Sequence, residues 1–270
     1  MARKAYSVKM SLKFQTDGCE LRLGDFKESL DDVTNVDLIL TSPPYNIGSK
    51  HPMKLTNRRN GGYDSKSWGS IEGYPDALPE DQYQEQQKEL LEWCLHRLSP
   101  DGVIIYNHKV RHKCGRMILP EKWILPLESE GKLIIRDQVV WDHGSTHNHC
   151  PAYVCVQSER LYVLCRPGAK PYFRNLDFYW KKSPLKDVGD VWLILPDRKN
   201  KHNAPFPECL ARQCIRMWSR PGSLVVDPYS GSGTTMLACI REDRKFVGSE
   251  MQKKYFDQSV VRIMGREQNG

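Results

Sequence analysis

The chain has 270 residues, of which 39% are hydrophobic and 27% charged, and a formal net charge of +7. That length suits one α/β domain carrying insertions, spanning residues 1–270, and is too short for two ordinary domains plus a linker. No apolar stretch reaches the roughly 20 residues of a membrane helix, and none follows the basic N-terminus as a signal sequence would. The chain is therefore expected to be cytoplasmic, without a membrane partner. Its nine cysteines lie scattered through apolar segments without paired CxxC spacing, which points to reduced, mostly buried thiols. The basic balance suits a polyanionic partner, although by itself it discriminates little.

In chain order, Val36–Leu40 is an apolar run ending at Thr-Ser-Pro-Pro, a buried strand that stops where proline removes the ladder donors. Residues 47–75 are rich in Gly, Ser, Asn, Lys and Arg without any period, which predicts a long mobile loop. Leu90, Leu91, Cys94, Leu95 and Leu98 recur at helical spacing, so a helix is expected over 81–98, ended by Ser-Pro-Asp-Gly. Strands are expected at Val103–Tyr106, Leu133–Ile135, Gln138–Trp141 and Arg160–Leu164, after which the chain turns polar and aromatic to about Lys201. A helix over Pro207–Trp218, a strand at Ser223–Val226, a helix over Thr235–Arg241 and a strand at Lys245–Gly248 complete the pattern. Strands alternating with helices predict a mostly parallel twisted sheet with helices on both faces, whose ligands sit at the strands' C-terminal ends.

Two segments carry chemistry. The first runs from Val225 through Asp227-Pro228-Tyr229-Ser230-Gly231-Ser232-Gly233-Thr234-Thr235. A strand feeding a Gly-rich turn and a helix lets a ligand approach the backbone closely, and the helix N-terminus offers free N–H groups to an anionic part of it. Glu250 follows at about the spacing of a ribose-binding acid. An isolated GxG could equally be a tight packing turn. The second segment is Thr41-Ser42-Pro43-Pro44-Tyr45-Asn46, directly after a strand. An exocyclic base nitrogen is a poor nucleophile because its lone pair is delocalised into the ring. Ser42 and the Pro43 carbonyl can hold its protons and orient that lone pair, while Tyr45 can stack on a base that has left the helix.

The full first string resembles the cofactor loop of Rossmann-like methyltransferases, and the second resembles the (D/N/S)PP(Y/F) motif of amino-methyltransferases. The catalytic motif precedes the cofactor loop, with His202-Asn203-Ala204-Pro205-Phe206-Pro207-Glu208 between them, similar to an HPAPFPE-like segment. That order resembles the circularly permuted β class of DNA amino-methyltransferases, over about Leu21 to Asp257. The resemblance implies a Rossmann-like fold and S-adenosylmethionine as cofactor. It implies that Asp227 and the backbone around Gly231 and Gly233 hold the methionine part, and that Glu250 binds the ribose. Thr41, Phe206, Tyr229, Ser230, Ser232 and Thr234 would line the same site, and Asp25 of Leu23-Gly24-Asp25 would reach the adenine amino group. Catalysis would fall to Ser42, Pro43, Pro44 and Tyr45.

The SPP form points to cytosine N4 as the target, with adenine N6 the alternative, since TSPPYN also occurs in adenine enzymes. An RNA base and a catalytically inactive nucleic-acid-binding protein remain as further readings. A protein glutamine fits less well, because Ser42 stands where that group has Asn. Only about residues 167–200 are available as a target-recognition insert, which argues against a long recognition site. Lys50, Lys54, Arg58, Arg59 and Lys66, and later Lys181, Lys182, Lys186, Arg198, Lys199 and Lys201, are candidate DNA phosphate contacts. A homodimer and a cognate restriction endonuclease are left open as partners. His143, His147, His149 and Cys150 lack the two well-spaced pairs of a structural zinc site, so no metal is expected.

Overall fold

The computed structural model describes residues 12–47, 77–113, 115–144, 154–173, 189–195 and 206–267. The chain opens with a hairpin of β1 (Lys13–Thr16) and β2 (Cys19–Leu23). Asp17 and Gly18, both at positive φ, form its two-residue turn. Then come α1 (Phe26–Ser29), β3 (Val36–Thr41), α2 (Glu80–Arg97), β4 (Leu98–His108), β5 (Arg111–Lys113), β6 (Arg116–Ile118), α3 (Glu121–Ser129), β7 (Ile134–Asp142) and β8 (Ser158–Cys165). The chain continues through β9 (Val191–Leu193), α4 (Glu208–Trp218), β10 (Leu224–Asp227), α5 (Thr234–Arg241), β11 (Lys245–Glu250) and α6 (Lys253–Glu267).

Nine strands form one sheet in the order β1-β2-β11-β10-β3-β4-β8-β7-β9. The centre, from β2 to β4, pairs in parallel; β8 runs antiparallel to both of its neighbours, and β1 antiparallel to β2. The expected mostly parallel sheet is thus present. Strands β3, β4 and β10 at its middle carry apolar runs, Leu38–Leu40, Val103–Tyr106 and Leu224–Val226, because both faces are covered. Along β4, Val103 and Ile105 join the layer formed with α4, α5 and α6, whereas Ile104 and Tyr106 join the layer formed with α1, α2 and α3.

The structure corrects three boundaries. Leu98, expected to end a helix, has extended backbone and begins β4, where it pairs with Val36. The two short strands expected at 133–135 and 138–141 are one strand, β7, with a register shift against β8 between Ile135 and Asp137. The segment expected as an insert, 167–200, also supplies the edge strand β9, which pairs in parallel with β7 and buries Trp192 and Ile194 in the core. The seven described cysteines are free thiols, five of them buried. Among the described residues no helix is long and apolar enough to cross a membrane.

Candidate active site

One edge of the sheet collects the polar chemistry. Parallel strands β11, β10, β3 and β4 end there at Glu250, Asp227, Thr41 and His108, and antiparallel β8 begins there at Ser158. The two motifs, 185 residues apart between Ser42 and Asp227, become neighbours because β3 and β10 pair directly. Between them opens a cleft lined by Leu40, Thr41, Ser42, Phe206, Asp227, Tyr229, Ser230, Gly231, Ser232, Thr234 and Thr235. Nine of these eleven were singled out from sequence; Leu40 and Thr235 were not.

The glycine loop takes its shape from Asp227. The carboxylate accepts from Thr235 Oγ1 at 2.6 Å and from the Tyr229 N–H at 3.0 Å, bending the chain back on itself. Gly231 and Gly233 lie in the left-handed region at φ 51° and 77°, where a side chain is strained. Gly233 immediately precedes α5 and gives it no side-chain cap, so the first-turn N–H groups face the loop. Glu250 reaches across from β11 and accepts from the Gly231 N–H at 2.9 Å and the Gln252 N–H at 2.7 Å. Burial is the largest influence on both acids. It pushes Asp227 up to about 6 and Glu250 up to about 7, against the hydrogen bonds that favour their charged forms.

Helix α6, absent from the sequence-based expectation, braces this loop from behind. Ser259 Oγ donates to the Gly231 carbonyl at 2.8 Å, and Arg262 donates to the Ser232 carbonyl at 3.1 Å and to Thr234 Oγ1 at 2.8 Å. Phe256, Val260 and Ile263 pack against the core at helical spacing, a signal that could have revealed the helix.

The second motif turns inward. Ser42 Oγ and Tyr45 Oη lie 2.7 Å apart, and Tyr45 Oη donates to Glu159 Oε2 at 2.8 Å. Asn107 Nδ2, at the end of β4, donates to Tyr45 Oη at 2.8 Å and to Glu159 Oε2 at 2.7 Å, with Ser42 Oγ at 3.3 Å. Burial, with the nearby Glu159 charge second, raises the Tyr45 phenol well above its ordinary range. The ring itself is half-buried and lies 4.7 Å from that of His108. His108 is fully buried, and burial lowers it to about 3, so it is neutral. Its Nε2 meets Tyr83 Oη at 2.6 Å, and Tyr83 donates to the Pro44 carbonyl at 2.7 Å, fixing the double-proline turn on α2. Asn107, His108 and Glu159 were not anticipated: each stands singly at a strand end, without a local pattern.

Asn46, in the left-handed region at φ 55°, clamps Leu78 through both backbone groups, at 2.7 and 3.1 Å. Residues on either side of segment 48–76 are thereby held together beside the motif. Phe206 stands edge-on to Trp141 at 6.0 Å. Asp25 is not among the cleft-lining residues: its carboxylate accepts from the Lys27 N–H at 2.8 Å and caps α1, although Gly24 is tied to the Glu250 carbonyl at 2.9 Å. The candidate phosphate contacts Lys50, Lys54, Arg58, Arg59, Lys66, Lys181, Lys182, Lys186, Arg198, Lys199 and Lys201 lie outside the described residues, as do His147, His149 and Cys150. His143, expected as a loop residue, immediately follows β7, with Nε2 3.7 Å from Glu159 Oε1.

A family model described as DNA methylase matches residues 36–261. The chain is similar to the type II methyltransferase M.BglII of Bacillus subtilis, 27% identical over 260 residues that cover 87% of this chain and 66% of that protein. It thus spans just under two thirds of that relative. Among solved structures it is similar to the cytosine-N4-specific PvuII DNA methyltransferase, with a TM-score of 0.72, 20% identity and coverage of 92% of this chain and 87% of that one. It is also similar to M1.HpyAVI, solved as a complex with SAM, with a TM-score of 0.62, 20% identity and coverage of 90% and 98%. At these identities the two structural likenesses carry the fold.

Proposed function

The chain belongs to the DNA methylase family, and on that premise we propose that it transfers a methyl group from S-adenosylmethionine to the exocyclic amino group of a DNA base flipped from the duplex, with cytosine N4 as the target. One observation carries the assignment of residues: Ser42 and the glycine loop line a single cleft across the directly paired strands β3 and β10.

The residues in the cleft and directly behind it fit the cofactor. Left-handed glycines let a ligand approach the backbone, and the uncapped start of α5 offers N–H groups to a carboxylate. Glu250, buried at the end of β11, can accept from ribose hydroxyls while it holds Gly231. When bound, the cofactor supplies an electrophilic methyl group on a sulfonium. Against it, Ser42 Oγ and the Pro43 carbonyl accept from the target amino group and orient its lone pair, and the half-buried Tyr45 ring stacks on the flipped base. A neutral hydroxyl at Ser42, where many adenine enzymes carry an aspartate, and a small pyrimidine against Tyr45 favour cytosine.

The test is to incubate the protein with duplex DNA, or with RNA, and isotopically labelled cofactor, digest to nucleosides and identify the product by mass spectrometry. Labelled N4-methylcytosine is expected. N6-methyladenine alone would overturn the base assignment and leave the enzyme class, and no methylated nucleoside from either polymer would overturn both.

A further inference from the structure

Glu159 belongs to neither motif, yet both motif hydroxyls lead to it. It is 7% exposed, at the second residue of β8. A hydroxyl has one proton to give. Tyr45 Oη gives its own to Glu159 Oε2, so in the 2.7 Å contact with Ser42 Oγ the serine is the donor. Asn107 Nδ2 fills the second acceptor position of Tyr45 Oη and also grips Glu159 Oε2. The bonds therefore point one way, from Ser42 through Tyr45 to Glu159, and Ser42 Oγ keeps acceptor capacity at the cleft. Among the described residues, the titratable and charged groups facing Glu159 are Tyr45, His143 with Nε2 3.7 Å from Oε1, and Arg160, whose contact with Glu159 is to the backbone carbonyl at 3.4 Å. Among the described residues no Lys or Arg pairs with the Glu159 carboxylate.

From these contacts we propose that Glu159 is the terminal acceptor of the proton that the target amino group must lose, reached through the hydroxyls of Ser42 and Tyr45. The inference rests on the methyl-transfer reading above. As the new N–C bond forms and the C–S bond breaks with its electron pair going to sulfur, the amino nitrogen gains positive charge and sheds a proton. That proton passes to Ser42 Oγ, the serine proton passes to Tyr45 Oη, and the tyrosine proton passes to Glu159 Oε2. Both hydroxyls end neutral, the base ends neutral and the carboxylate ends as a carboxylic acid. A hydroxyl by itself holds no extra proton near neutral pH, which is why the chain of bonds must end on a group such as a carboxylate.

Glu159→Gln separates this role from simple packing, because the amide oxygen still accepts from Tyr45 but takes up no proton. At saturating cofactor and DNA, the single-turnover rate of methyl transfer is expected to fall on the order of a hundredfold or more. Affinity for S-adenosylhomocysteine and for DNA should stay unchanged, the acid limb of the pH–rate profile should disappear, and Glu159→Asp should restore part of both rate and limb. A folded Glu159→Gln protein with the wild-type rate, or with the wild-type pH profile, would overturn the relay. If Glu159→Gln does not fold, Tyr45→Phe cuts the same chain of bonds one link earlier: loss of rate and of the acid limb is expected, and retention of both overturns the proposal. Failure of the wild-type protein to methylate any nucleoside would instead overturn the underlying reading, so the two failures are distinguishable.

Discussion

Tyr45 offers two groups on one side chain: a hydroxyl committed to Ser42, Asn107 and Glu159, and a half-buried ring. Removing the ring therefore differs from removing the hydroxyl. Base stacking on an aromatic contributes about 1–3 kcal/mol, so Tyr45→Ala is expected to weaken capture of the target base roughly tenfold or more. Cofactor affinity, measured by calorimetry, should be retained, since Tyr45 is not among the cleft-lining residues. Glu250 and Asp227 couple stability and binding to pH. Their folded values, about 7 and about 6, lie above the ordinary carboxylate range that they return to on unfolding. Their contribution to stability is thus fully present only in acid, below that ordinary range, and is lost as pH rises through about 6 to 7. A ribose whose hydroxyls donate to Glu250 favours its ionised form, so binding releases the proton. S-adenosylhomocysteine affinity should then rise between about pH 6 and pH 8 and level off, with proton release seen as a dependence of the calorimetric heat on buffer ionisation enthalpy. Glu250→Gln should abolish that dependence and weaken binding at least tenfold, since hydrogen bonds to a charged group contribute about 1.5–3 kcal/mol.

Among the elements, β11 and α6 decide whether the glycine loop keeps its shape. Gly248 pairs with Asp227 across β11 and β10, and a Cβ built on it would stand 2.2 Å from Ser230 Oγ and 2.4 Å from the Phe246 ring. Neither neighbour has room to retreat, because Ser230 is held by the Asp227 carbonyl and Phe246 is fully buried. Gly248→Ala should destabilise the protein by about 1–3 kcal/mol, as overpacking does. The expected signature is a lower urea midpoint with an unchanged slope, together with weakened S-adenosylhomocysteine binding, because the displaced side chain belongs to the loop. An unchanged midpoint would show that β11 and the loop are less closely packed than these distances require. At Gly233 the limit is set by α6, where a Cβ would meet that of Ser259 at 3.0 Å.

Across the whole molecule, the net charge of +7 includes Lys50, Lys54, Arg58, Arg59 and Lys66, which lie in sequence between Asn46 and Leu78, the pair clamped together next to Ser42 and Tyr45. Neutralising phosphates releases counterions, so log K for DNA should fall linearly with log salt, by about 0.9 for each phosphate neutralised. Replacing these five residues with glutamine should flatten that slope in proportion to the phosphates left unneutralised, while S-adenosylhomocysteine affinity stays the same. An unchanged slope, measured by fluorescence anisotropy over a salt series, would remove the segment from the DNA interface.

Local features were legible along the chain. Apolar runs marked the central strands because strands covered on both faces need no alternation, and the Ser42–Tyr45 and Asp227–Thr235 segments were legible because tight turns demand glycine and proline at fixed offsets. Their order along the chain resembles that of the permuted amino-methyltransferases. Which distant residues share one end of the sheet depends instead on how the strands pair. Asn107 and Glu159 reach Tyr45 because β4 and β8 pair antiparallel at the same end of the sheet, and no spacing along the chain encodes that meeting. The edge strand β9 was settled the same way: with three residues it carries no pattern of its own, and burial against a neighbour, rather than intrinsic propensity, fixes such an element.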